Sequence, residues 1–525
     1  MMSKKSQGLK KTIRGKDIKK ISLRYRVVFL VITVIVFGVF SYMLAEKTDM
    51  ISFFSQKNVS SKPLCKDCNV LLVTIDICGA VHMPCYGYDK QTTPNLCKFG
   101  KDNIFFRNAY ANSPSSSPSH ASIFTGLFPS NHGIVKEGSG NLSENTPLLS
   151  EVFHQHGYET VIYMGPNMQK LSVDSYKRGM TEMDGEGLDE DGYIQKAMNK
   201  LVQNDKAGKK TFVSFYNSQC HEPYFTNGEK LLFTKDNIPD LVVRDQGAVY
   251  RPLTREFYEY LLEILPKDIK NNQPGDQKAI LQGLYDKLKS APSFAAASRI
   301  ADTYMKTNDV LWTYTYAFYI DRLIDPKNTR VMNFERALYD QKLFDVDTKV
   351  VSHIAETIKN SSLKKDTVVL ITSEHGQEFG EHGITGHSTL YDLNTKVPFV
   401  MYVPGVRPRS ISQNVQGVDI MPTLLDLVGI PNTFSFDGMS LLPLITGGRM
   451  PGRLLVADGE SGMKKTLRLD TWKLFVTVEG DSITPYELYD TKSDPAEKRN
   501  VLPSHFDVAK KLIALYKETI LKKAQ

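Results

Sequence analysis

Three potential metal ligands fall at the ends of two apolar runs. "NVLLVTID", residues 69–76, closes on Asp76, and "TVVLITSEH", residues 367–375, closes on Glu374 and His375. Two carboxylates and one imidazole suit a divalent cation: Ca2+ or Mg2+ where oxygens dominate, Mn2+ or Zn2+ where His375 binds directly. A third segment, "SPSSSPSHASIFTG" at 113–126, offers hydroxyls. Pro118 favours the first turn of a helix, so Ser116, two residues earlier, stands beside a helix N-terminus whose unpaired N–H groups attract anions. A serine there can bind the cation, lose its proton more readily and attack a phosphorus or sulfur centre. Ser115 and Ser117 read as turn hydroxyls, separated from Ser116 by register alone. His120, one turn further on, reads either as an oxyanion contact or as a cap and support for Ser116.

Such residues need rigid elements to aim them. A continuous apolar run ending abruptly in a carboxylate is how a strand buried on both faces leaves a sheet. Looser versions occur at 159–165, 211–217 and 397–405, and helical patterns such as 146–157 and 347–360 lie between them. Alternating strands and helices predict an α/β sheet with helices on both faces and ligands at the carboxyl ends of its strands. That is where Asp76, Glu374 and His375 emerge. Residues 226 to about 330 read as a mainly helical insertion within a catalytic domain at 69–450. Residues 451–525 read as a small antiparallel sheet closed by a basic amphipathic helix that packs on the domain.

The net charge of +7 is concentrated at one end. Residues 1–26 hold ten Lys and Arg against one acid, which leaves the rest of the chain at −2 and implies no nucleic-acid footprint. Residues 27–45 then run without a charge for long enough to cross a bilayer. The expectation is a single-pass membrane anchor with a cytoplasmic basic tail, a stalk at 46–68 and an extracytoplasmic catalytic domain. All six cysteines fall on that outer side, where disulfides are permitted, and Cys65 and Cys68 read as a disulfide or free thiols rather than a zinc knot.

Taken in order, "NVLLVTID", "CYGYDKQTTPNL", "NAYANSPSSSPSHASIFTGLFPSNHGI", "CHEPY", "TSEHGQEFGEHG", "GHSTLYDLNTKVPFVMYVPG", "VDIMPTLLDLVGIP" and "ELYDTKSDPAEKRNV" resemble the sulfatase family of the alkaline-phosphatase superfamily. The resemblance implies that superfamily's mixed sheet sandwiched by helices. The family signature, Cys or Ser, any residue, Pro, Ser, Arg and a later Thr-Gly, falls on Ser116, Pro118, Ser119, His120, Thr125 and Gly126. Ser116 therefore takes the nucleophile position, which true sulfatases oxidise to formylglycine. Asp76, Glu374 and His375 fall on metal-ligand positions. His221 and His387 fall where relatives place substrate-oxyanion or second-metal ligands, and Lys396 lies near a region that supplies a substrate-binding Lys in some relatives. His132 and His382 fit family loops with no direct role.

The chain also departs from the pattern. His120 replaces the signature Arg, Ile77 replaces a second Asp after Asp76, Glu374 replaces the commoner Asp, and Gln219 stands where many relatives have Asp. The leading expectation is a hydrolase of sulfate esters, on a glycan or similar molecule, using Ca2+ and Ser116 or its formylglycine form. The alternative keeps Ser116 unmodified with Mn2+ or Zn2+ in a phosphodiesterase, phosphatase or phosphoethanolamine-type transferase. A third reading is a binding protein that kept only the fold.

Overall fold

The computed structural model describes residues 62–521 apart from 139, 165–176, 185–189, 223, 225–230, 236–254, 272–274, 308–313, 315–317 and 319–323. The expected anchor at 27–45 lies outside the described residues, and no described helix is long and apolar enough to cross a membrane.

The main sheet is built from β1 (Asn69–Ile75), β2 (Ile104–Phe106), β3 (Glu159–Met164), β4 (Glu182–Asp184), β5 (Thr211–Asn217), β6 (Thr367–Thr372), β7 (Phe399–Tyr402) and β8 (Arg409–Ile411). Its order is β8-β2-β7-β6-β1-β5-β3-β4. β1 is parallel to both neighbours, β5 and β6, and β7 runs antiparallel to β6 and β2, so the sheet is mixed. Successive residues of β1 feed opposite cores: Val70 and Leu72 pack with Leu370, Phe399 and helix 420–428, whereas Leu71, Val73 and Ile75 pack with Ile371, Phe215 and Leu338. Burial on both faces, at roughly 1.5–3 kcal/mol per large side chain, is why these strands read as unbroken apolar runs.

Three helices bear on the rest. α1 (Ser116–Thr125) carries the serine-rich segment, α2 (Thr329–Val346) covers one face of the sheet, and α3 (Phe506–Thr519) ends the chain. Before α2, helices Arg255–Asn271, Gly275–Lys289 and Phe294–Thr307 bury a core of their own around Leu261, Leu265, Leu281 and Leu288. Strands Leu455–Asp458, Lys464–Leu469, Trp472–Glu479 and Ser482–Asp490 form an antiparallel sheet, and α3 lays Ala509, Leu512 and Tyr516 against it. The basic last helix therefore spends its apolar face on protein.

Disulfides join Cys65 to Cys68 and Cys85 to Cys97, while Cys78 and Cys220 are buried thiols. The first of these lies within the folded body: Cys65 N donates to Leu427 O, and both sulfurs join the core beneath helix 420–428. The stretch from residue 63 to 68, at the end of the expected stalk, is thus part of the domain, because its apolar turn has a core to enter.

Candidate active site

Parallel pairing fixes the first two expected ligands. β1 and β6 pair with Thr74 opposite Thr372, so Asp76 and Glu374, each two residues further on, leave the sheet side by side. Asp76 N still donates to Asn217 O at 2.8 Å, which holds the residue one step beyond the strand. The chain then turns through Ile77 at φ 56, a left-handed conformation that is costly for a β-branched residue. Tyr339 on α2 secures this turn, donating to Ile77 O at 2.6 Å and accepting from Gly79 N at 2.9 Å. On the β6 side, Ser373 Oγ accepts from Cys78 N at 3.0 Å and donates to His375 O at 2.7 Å, tying the two strand ends together. Gly376 follows, where a Cβ would lie 2.2 Å from Leu393 O.

α1 starts two residues earlier than Pro118 suggests. Ser115 is the extended residue before the helix and Ser116 its first residue, with Pro118 still inside the first turn. The carboxylate of Glu137 supplies the local cap, accepting from Ser117 N at 3.0 Å and from Ser117 Oγ at 2.7 Å. Ser119 Oγ donates to Glu374 O at 2.7 Å, which docks the helix on the strand-end loop. Ser116 Oγ consequently sits 3.0 Å from His375 Nε2 and 3.4 Å from Glu374 Oε1.

One donor atom from each of Asp76, Glu374 and His375 lies within 4.8 Å of the others. All three residues are buried, and Asp76 Oδ1 and Glu374 Oε2 have no hydrogen-bond partner. His375 Nδ1 faces Gly376 O at 3.0 Å; a carbonyl only accepts, so Nδ1 carries the proton and Nε2 keeps its lone pair. Burial drives Glu374 well above the usual carboxylate range, reinforced by repulsion from Asp76. Burial also pushes Asp76 up, but the hydrogen bond from Glu374 and the fields of His221 and His375 outweigh it and hold Asp76 at about 2. Burial, aided by His387, pulls His375 down to about 3. Two orphaned carboxylate oxygens, a neutral imidazole lone pair and a serine hydroxyl on one spot fit a divalent cation.

Around this spot lie the remaining imidazoles. The His387 ring stacks on His375 at 4.6 Å between centroids, and His221 stands 5.8 Å from His387. The Nδ1 atoms of His221 and His387 donate to Glu222 O at 2.6 Å and Pro114 O at 3.2 Å respectively, which leaves Nε2 of each as the lone-pair nitrogen in the neutral ring. Burial pulls His221 down, but Glu222 and Asp76 together outweigh it and raise its pKa. His120, 3% exposed, packs its ring 4.9 Å from Tyr216, and burial lowers its pKa to about 4. All seven singled-out residues, Asp76, Ser116, His120, His221, Glu374, His375 and His387, thus gather at one end of the sheet.

Sequence reasoning missed Glu222, which forms a second cluster with His221 and His387 and is oriented by Gln377 Nε2 at 3.2 Å. Its neighbour Gln219 turns instead toward Asn217 and Asp191. The signal was the acid directly after His221. Tyr216, whose hydroxyl reaches Glu374 Oε1 at 3.5 Å, and the capping Glu137 were missed too. Lys396 lies elsewhere, on a two-residue strand paired with Tyr110, lining a cavity that none of these residues lines. His132 braces α1 through Pro118 O and Ser122 Oγ, and His382 pairs with Glu378 and stacks on Tyr391.

The sulfatase family profile matches residues 68–430, more than two thirds of the chain. The chain belongs to the sulfatase family. As a member it is a sulfatase-family hydrolase of the alkaline-phosphatase superfamily, and residues 380–524 match the C-terminal region of N-sulphoglucosamine sulphohydrolase. Among curated relatives, an N-acetylglucosamine-6-O-sulfatase of Bacteroides thetaiotaomicron is 25% identical, over 88% of this chain and 87% of its own. A solved structure of a protein with its substrate D-glucosamine-2-N,6-O-disulfate has TM-score 0.59 at 20% identity, over 87% of this chain and 97% of that one. The phosphonate monoester hydrolase of Agrobacterium radiobacter has TM-score 0.57 at 19% identity, over 86% and 96%. This family's fold is therefore shared by hydrolases of different esters.

Proposed function

We propose that the protein hydrolyses sulfate esters on a glycan, using a divalent cation at Asp76, Glu374 and His375 and the side chain of residue 116 as nucleophile. The carrying observation is Ser116 Oγ, 3.0 Å from His375 Nε2 beside the two orphaned carboxylate oxygens. A bound cation supplies Lewis-acid polarisation and lowers the pKa of the attacking oxygen. The first turn of α1 aims that oxygen at sulfur. His120, His221 and His387 surround the non-bridging oxygens, and the neighbouring Glu222 and Asp76 carboxylates, which raise the pKa of His221, favour its donating form. Displacement of the sugar hydroxyl and hydrolytic release of sulfate complete the cycle. The sulfated-glucosamine chemistry named for the relatives supports the choice of a glycan. Two disulfides support an oxidising compartment, in line with an anchor at 27–45 and an extracytoplasmic domain.

His120 in place of the signature Arg favours a second reading, in which unmodified Ser116 attacks phosphorus in a phosphoric ester with Mn2+ or Zn2+. The mass of the tryptic peptide 108–136, from protein made in its own host, separates the two. Loss of two hydrogens at Ser116 supports formylglycine and sulfate esters. An intact serine with phosphodiesterase turnover sinks the leading reading.

A further inference from the structure

A cavity of about 1000 Å³ opens between the edge of the main sheet and the C-terminal sheet, walled by β8, the loop at 447–453 and the turns near 470 and 492. That is the upper end of the ~300–1,000 Å³ typical of small-molecule pockets, so it holds more than one ion. Five cationic side chains line it, Lys396, Arg409, Arg449, Arg453 and Lys492, against the carboxylates of Asp392 and Asp470. Asp392 is already engaged by Arg468 and by Lys473 at 2.7 Å, and Arg453 pairs with Asp419. The other four cations make no ion pair among the described residues.

Arg409 is the most telling of these. Its Nε is buried without a hydrogen-bond partner, and its guanidinium lies so close to Gly447 that a Cβ there would come within 2.3 Å of Nη1. Gly447, at φ +95, thus leaves room for the guanidinium along the wall. Burial lowers the pKa of Lys396, opposed by the field of Asp392. The partly buried Arg409 guanidinium, without a counterion, costs free energy that an anionic ligand would offset. Between them, Tyr88 adds a half-exposed ring, and Asn108 and Asn414, which each donate one amide hydrogen to a backbone carbonyl, keep further amide groups that suit sugar hydroxyls.

We propose that this cavity is a second binding site, separate from Ser116, for a sulfated or carboxylated oligosaccharide segment. It rests on the sulfated-glycan reading and gives the polymer a hold away from the scissile ester. The test uses the full chain with a heparin-derived octasaccharide as probe. In a Ser116→Ala background, calorimetry should show binding weakened on the order of a hundredfold by Arg409→Ala/Arg449→Ala/Lys492→Ala together, since removing one charge-assisted hydrogen bond weakens binding by up to about tenfold. In the parent background the same triple variant should raise KM for the octasaccharide while turnover of 4-nitrophenyl sulfate is unchanged. The exposed pair Arg449→Ala/Lys492→Ala, which leaves Arg409 in place, guards against misfolding and should weaken binding by about tenfold or more. Unchanged octasaccharide affinity in both variants overturns the proposal. So does equal affinity for inorganic sulfate and octasaccharide, or binding to anionic lipid vesicles with none to octasaccharide. If the parent turns over no sulfate ester, the functional reading fails, while calorimetry still tests the cavity.

Discussion

His132 should make the fold acid-sensitive by a calculable amount. The ring is 4% exposed, and Nδ1 accepts the N–H of Ile134 at 3.1 Å. Nε2 therefore carries the proton of the neutral ring and points to Pro118 O at 3.2 Å. A second proton would set an N–H against the N–H of Ile134, and burial already lowers the pKa from 6.5 to about 4. The unfolded ring takes up its proton near 6.5 and the folded ring only near 4, so this contribution to stability is complete above pH 6.5 and is lost as pH falls through that window. Linkage gives a loss of about 2 kcal/mol at pH 5.0 relative to pH 7.5, approaching ~3 kcal/mol below pH 4. Urea unfolding at both pH values, for the parent and for His132→Gln, measures it. Gln cannot titrate, so the fall in the variant should be about 2 kcal/mol smaller, on top of a lower stability at pH 7.5. His120 and His375 are buried in both proteins and cancel in the difference. Equal falls in the two proteins would refute the locked tautomer.

Replacing the proposed nucleophile, Ser116→Ala, should lower kcat by roughly 10³-fold or more while leaving Tm within a few degrees; turnover equal to the parent's in a steady-state assay would remove Ser116 from the chemistry. Chelation with EDTA should abolish turnover and lower Tm, both restored by a divalent cation, because it would strip counter-charge from Asp76 and Glu374; full activity after exhaustive chelation counts against the site. Gly376→Ala should destabilise by about 3 kcal/mol, the upper range of overpacking costs, since its Cβ meets a backbone carbonyl that cannot step aside; an unchanged Tm would contradict the close approach. Asp392→Ala should cost about 3–5 kcal/mol by stranding buried Arg468, while Lys473 keeps Glu497 at 2.7 Å, read by thermal unfolding.

What was legible in the sequence was whatever local pattern controls. Burial on both faces writes itself as apolar runs, and a run that stops at a carboxylate marks a strand end, so Asp76, Glu374 and His375 could be read together. The start of α1 was misplaced by two residues because Pro118 is tolerated anywhere in a first turn, while the true cap comes from Glu137, twenty residues away. Glu222 escaped notice because its partners, His387 and Gln377, are close only after folding. The same holds for the ion cluster of Asp392, Arg468, Lys473 and Glu497, whose members are scattered over a hundred residues and satisfy one another only when the C-terminal sheet docks. The anchor at 27–45 rests on hydropathy alone.

The hydroxyl of Tyr339 on the carbonyl of Ile77 has a consequence for how much of this chain can be exchanged. The helices at 255–307 pack around themselves, whereas α2, which follows them, moors the turn beside Asp76. Different insertions could replace the helices at 255–307 without retuning the candidate site, provided that His221 and Glu222 are kept and α2 holds its register. A single added residue within α2 before Tyr339 would swing that hydroxyl by about 100° around the helix and release the turn.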